Sequence, residues 1–127
     1  MDNETLEELK RDFSWIEDDK RILAVLLLGS KVNDKYHSRS DVDLAIVVPG
    51  SSNFYYDWKG VSDEKVDSSE VLGEVFMEVN TASKDYDVHV FEELPLHIQI
   101  AIINEHQIVH TSDKYGMYEY FYNYRQL

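Results

Sequence analysis

Four residues in one short stretch could do chemistry together. Gly29-Ser30 is followed by ten residues and then by Asp41-Val42-Asp43. Asp41 and Asp43 stand two apart at the head of an apolar run, Val42 to Val48. In a strand, successive side chains point to opposite faces, so these two carboxylates share one. Held side by side they repel each other and favour cations between them. Hard divalent ions such as Mg²⁺ suit oxygen donors of this kind. Gly29 allows a phosphate close to the backbone, and Ser30 can open a helical turn whose free N–H groups face an anion. Lys31 comes next and could also touch a polyphosphate. A phosphate cradle beside a carboxylate pair predicts metal-assisted nucleotidyl transfer, with a two-metal site.

The pattern resembles the minimal nucleotidyltransferases of the DNA polymerase beta superfamily. The resemblance rests on Gly29, Ser30, Asp41 and Asp43, on the apolar runs around them, and on a third acidic run containing Asp87. It continues through Leu94-Pro95 and covers about residues 20–112. In one respect the sequence departs from the family: Val32 and then Asn33-Asp34 stand where many members have a small residue and a glycine. Asn and Asp tolerate a left-handed helix end, so a turn can still form. The resemblance implies Asp41, Asp43 and Asp87 as catalytic and metal-binding residues. It implies Gly29 and Ser30 as the nucleotide-binding turn, with ATP as substrate; Lys31 joins them by its position directly after that turn. Asp85 alternates onto the Asp87 side of its run and is the rival third ligand.

Elements must position these groups. Ile22 to Leu28 is an unbroken apolar run and reads as a buried strand. Before it, Asn3 or Thr5 can cap a helix with Leu6, Leu9, Phe13 and Ile16 on one face. Pro49-Gly50 ends the second strand. Residues 51–65 read as a loop whose aromatics, Phe54 to Trp58, pack over the core. Asp67 to Glu70 caps a second helix with the stripe Val71, Leu72, Val75, Phe76 and Val79. Asp85 to Phe91 alternates as a strand, with Tyr86, Val88 and Val90 on one side and Asp85, Asp87 and His89 on the other. Pro95 starts a helix with Leu96, Ile98, Ala101 and Ile102 inward. Gln107 to His110 reads as a short edge strand. A final helix from about Asp113 turns Met117, Phe121 and Tyr124 inward.

Strands and helices interleave, which predicts an α/β (α+β) class, a mixed β-sheet flanked by helices, in a single domain over residues 1–127. The resemblance implies the nucleotidyltransferase fold. The sequence has no cysteine, so disulfides and thiolate zinc sites are excluded. His106 and His110 are four apart, a metal-binding spacing only on a helix. No apolar run reaches membrane-spanning length and no basic leader precedes an apolar one, so a cytoplasmic protein is expected, with no membrane partner. The formal net charge is −13. That exceeds the roughly 2 to 8 of a typical small domain and disfavours direct contact with nucleic acid. It favours a basic protein partner.

These minimal chains resemble the antitoxin half of HEPN/MNT toxin–antitoxin pairs. That resemblance implies transfer of AMP from ATP to a tyrosine hydroxyl of a HEPN-type toxin. The alternatives are an antitoxin that acts by binding alone, with a dispensable site, and a transferase acting on a small molecule.

Overall fold

The stretch Ala24-Val25-Leu26-Leu27-Leu28 carries no polar side chain, and a strand apolar on both faces must be covered on both. A computed structural model describes residues 3–29, 42–51, 65–82 and 84–125, and it shows that arrangement. Strand β1 (Ala24–Leu28) and strand β2 (Val42–Val47) are buried along their whole length. Strands β3 (Tyr86–Val90) and β4 (His106–Thr111) flank them and are only partly buried. The sheet order is β3-β2-β1-β4. β1 runs antiparallel to β2 and β4, whereas β2 and β3 are parallel. A parallel pair needs a crossover, and helix α2 (Ser68–Glu78) lies between these two strands in the chain.

Alternation along the strands sorts their side chains into two cores. Val25, Leu27, Leu44, Ile46 and Val88 pack with Leu9, Phe13, Ile16, Val71 and Val75, which come from α2, from helix α1 (Asn3–Asp12) and from the short 3₁₀ turn Ser14–Asp18. Leu26, Leu28, Ala45 and Val47 pack on the other side with Ile98, Ile102, Met117, Phe121 and Tyr124. Those side chains belong to helix α3 (Leu96–Asn104) and helix α4 (Lys114–Arg125). The mixed sheet with helices on both faces is the predicted class.

Several local expectations are refined. The first helix stops at Asp12, where Ser14 Oγ donates to the Arg11 carbonyl at 2.9 Å. Ile16 is still buried, but from the 3₁₀ turn. Asp67 caps α2 by accepting from Ser69 N–H at 3.0 Å and Ser69 Oγ at 2.6 Å, which holds its carboxyl below the usual range. Val71, Val75 and Val79 face inward, while Phe76 points to solvent. Pro95 is the N-cap of α3 rather than its first residue, and Leu96 is exposed. Tyr120 belongs to the core with Met117, Phe121 and Tyr124.

Polar ties fix the sheet to the helices. Arg21, just before β1, forms a two-point pair with Asp19 (2.9 and 2.7 Å) and a further pair with Glu74 of α2. Asp12 at the end of α1 accepts from Lys84 Nζ at 2.8 Å and from Tyr86 Oη at 2.7 Å. Tyr86 is the residue before Asp87, so this contact anchors the start of β3. Burial and the Asp12 carboxylate both push the Tyr86 phenol upward. Glu92 accepts from Val48 N–H at 2.9 Å and from Tyr120 Oη at 2.7 Å, tying the end of β2 to α4. Among the described residues no helix is long and apolar enough to cross a membrane.

Candidate functional site

The parallel register of β2 and β3 sets Asp43 beside Asp87 and Ala45 beside His89. Residues at matching positions on neighbouring strands project from the same face. Ala45 belongs to the core under α3 and α4, so Asp43, Asp87 and His89 project on that side. Asp43 and Asp87 are each the second residue of their strand, and His89 stands two residues farther along β3. Asp43 is 3% exposed, a carboxylate embedded in an otherwise apolar strand. Asp87 and His89 are half-buried, and His89 Nε2 lies 3.0 Å from Asp87 Oδ2. One donor atom from each of the three residues falls within 4.8 Å of the others.

Gly29 follows β1 directly. Leu27 pairs with Leu44 in the antiparallel register, so Gly29 stands level with the start of β2. Gly29 and Asp43 therefore stand at the same end of the sheet. Gly29 also has a local packing reason to lack a side chain. A Cβ there would lie 2.5 Å from Glu105 Cγ and 2.7 Å from Glu105 Oε1. Glu105 caps the end of α3 and leans over the turn. Sequence reading did not single it out, because nothing in the local pattern shows that the end of α3 returns to the end of β1.

The other expected residues divide clearly. Ser30, Lys31 and Asp41 lie outside the described residues, as do the aromatics Phe54 to Trp58. Asp85 does not join Asp87. It precedes β3 at a φ of 56°, exposed, with its carbonyl accepting from Val42 N–H at 3.4 Å. Asp tolerates that left-handed conformation, and it breaks the alternation that would have placed Asp85 on the Asp87 side. His106 and His110 are on β4, not on a helix. His106 Nδ1 lies 2.7 Å from the Ile102 carbonyl and its ring meets Phe121 edge-on. Burial holds the His110 imidazole below its usual value. Among the described residues, Asp43, Asp87 and His89 form the one group of three acidic or imidazole donors close enough to share a cation.

Two hard carboxylate oxygens on adjacent strands fit a divalent cation, and the donor chemistry suits Mg²⁺ or Mn²⁺. A cavity of about 680 Å³, lined by Ser51, Val66, Ser68, Glu92 and Leu94, opens at the other end of β2. Val48 is five residues past Asp43, roughly 16 Å along an extended strand, so that cavity is not the carboxylate site.

The family described as "Polymerase beta, Nucleotidyltransferase" matches residues 13–115. A protein of Methanocaldococcus jannaschii named as a protein adenylyltransferase is 28% identical over 107 residues, which are 84% of this chain and 70% of that one. A chain in a crystal structure of a toxin–antitoxin with AMP-PNP is 16% identical, with a TM-score of 0.46, 98% of this chain and 93% of that one being covered. A chain in the structure of a tri-AMPylated Shewanella oneidensis HEPN toxin in complex with MNT antitoxin is 11% identical, with a TM-score of 0.49, 95% and 92% being covered.

Proposed function

The chain belongs to the polymerase beta nucleotidyltransferase family, and from that premise we propose that it transfers AMP from ATP to a tyrosine hydroxyl of a HEPN-type toxin. The observation that carries the chemistry is the cross-strand pair of Asp43 and Asp87, one carboxylate deeply buried and one half-buried, on the face beside Gly29. The activity for which the M. jannaschii relative is named supports a protein as acceptor. The net charge of −13 supports a basic one. The choice of a tyrosine rests on the sequence resemblance set out above.

In this reading Asp41, Asp43 and Asp87 would hold the two Mg²⁺ ions, which would supply positive charge to offset the polyanion and the departing pyrophosphate. Gly29, Ser30 and Lys31 hold the β- and γ-phosphates. Asp87 orients the acceptor hydroxyl and takes its proton. The acceptor oxygen bonds to the α-phosphorus, the bond from that phosphorus to the β-phosphate oxygen breaks, and pyrophosphate departs with the electron pair. Adding AMP to a toxin places bulk and negative charge on its surface, which opposes RNA phosphates.

Co-expression with the toxin, followed by intact-mass measurement of the toxin, tests the proposal. The expected result is a toxin that gains one or more AMP units with wild-type protein and none with the double variant Asp41→Asn/Asp43→Asn. A toxin that is neutralised without gaining mass, equally by both proteins, would establish neutralisation by binding alone.

A further inference from the structure

We infer that His89 Nε2 is a direct metal ligand in this site, so that one cation is held by two carboxylates and an imidazole and the site prefers Mn²⁺ to Mg²⁺. The inference rests on the divalent-metal reading above and adds to it the identity of a ligand and a metal preference.

The position of His89 follows from the sheet. It is two residues beyond Asp87 on β3, so it projects from the same face, and its register partner is Ala45. The Ala45 methyl is small and leaves room for an imidazole over the strand. The ring turns along the strand to Asp87, its Nε2 at 3.0 Å from Asp87 Oδ2. That distance is informative. Ligands at about 2.1 Å from an octahedral ion stand about 3.0 Å apart along a cis edge. The separation between His89 and Asp87 matches such an edge, and it is equally the length of the hydrogen bond that the two groups make with each other. The remaining donor, on Asp43, is within 4.8 Å of both.

The consequence is chemical. Mg²⁺ takes oxygen donors, often from water, and gains little from an imidazole. Mn²⁺ ranks at the low end of the divalent transition-metal affinity series and, like Mg²⁺, suits carboxylate oxygen; as a transition ion it gains more than Mg²⁺ does from one added imidazole nitrogen. An all-carboxylate set in this place would favour Mg²⁺. The imidazole moves the preference toward Mn²⁺. The competing arrangement has His89 donating its proton to Asp87 and only orienting that carboxylate, as second-shell partners of metal ligands do.

The test uses the full chain with Mn²⁺ alone, without nucleotide, and does not depend on catalysis. Mn²⁺ affinity is measured by calorimetry, and the bound ion is examined by pulsed electron paramagnetic resonance for coupling to ¹⁴N. The expected result is a ¹⁴N coupling in the wild type that is lost in both His89→Gln and His89→Asn. The Mn²⁺ affinity of these variants falls about tenfold or more, while Mg²⁺ affinity falls less. The variant His89→Asp restores Mn²⁺ binding through oxygen with no ¹⁴N coupling. Thermal melting of each variant in chelator confirms that the fold is intact. Mn²⁺ bound in a manner lost in Asp43→Asn, yet with no ¹⁴N coupling or with a coupling that persists in the His89 variants, would overturn the inference and leave the metal reading standing. No Mn²⁺ or Mg²⁺ binding that depends on Asp43 would overturn both.

Discussion

Replacing Asp43 by Asn should stabilise the metal-free protein while removing its response to metal. Asp43 is almost fully buried and lies beside Asp87 across the β2–β3 pair. Two unit charges within 4.8 Å of each other repel by about 3 kcal/mol or more at an effective dielectric constant near 20. The Asp87 side chain is 38% exposed, so solvent screening reduces the net effect to about 1–2 kcal/mol. Asn keeps the shape of Asp, so the change removes charge without opening a cavity. A cation works in the opposite direction. A ligand present at ten times its dissociation constant adds about 1.4 kcal/mol to the native state. Urea unfolding in chelator, and again with millimolar Mg²⁺ or Mn²⁺, measures both effects. In chelator the variant should exceed the wild type. With metal the wild type should gain and the variant should not. An Asp43→Asn protein that is less stable in chelator, or that gains as much from metal as the wild type, would refute the argument that this carboxylate is kept at a cost for cation binding.

Glu92 should make stability fall as pH rises. Burial pushes its carboxyl from 4.5 to about 7, although Val48 N–H and Tyr120 Oη hydrogen-bond to it. A folded-state value above the unfolded one is stabilising below pH 4.5 and is lost as pH climbs through about 7. The shift of 2.5 units (7 minus 4.5) sets an upper limit of about 3 kcal/mol. Urea unfolding across pH 4.5–8 should therefore give a steeper decline for wild type than for Glu92→Gln; parallel profiles would contradict this. Gly29→Ala places a methyl against Glu105 Cγ and should cost about 1–2 kcal/mol. Most of that cost should disappear on a Glu105→Ala background, as read by a double-mutant cycle. Tyr86→Phe removes the hydrogen bond to Asp12 and should cost about 1 kcal/mol. Amide exchange should show the loosening along Tyr86–Val90 rather than in β1.

The sequence alone carried most of the elements and the donor types that Asp43, Asp87 and His89 bring to one face. A short unbroken apolar run such as Ala24 to Leu28 reads as a strand covered on both faces, and β2 repeats the pattern after Asp43. Alternation in Tyr86-Asp87-Val88-His89-Val90 assigns the two faces of β3 without reference to any other strand. These are local properties, set by the geometry of a single extended chain. Only the tertiary structure decided what meets what. The parallel register that pairs Asp43 with Asp87, and Ala45 with His89, depends on how the crossover through α2 returns the chain. The exclusion of Asp85 depends on a left-handed residue just ahead of β3, where the period of two is interrupted. Glu105 over Gly29, and Glu92 under Tyr120, join residues 76 and 28 positions apart (105 minus 29; 120 minus 92). No periodicity carries information over that span. Contacts of this kind are fixed by the packing of whole helices on the sheet, where many weak apolar contacts select one arrangement and the polar side chains meet within it.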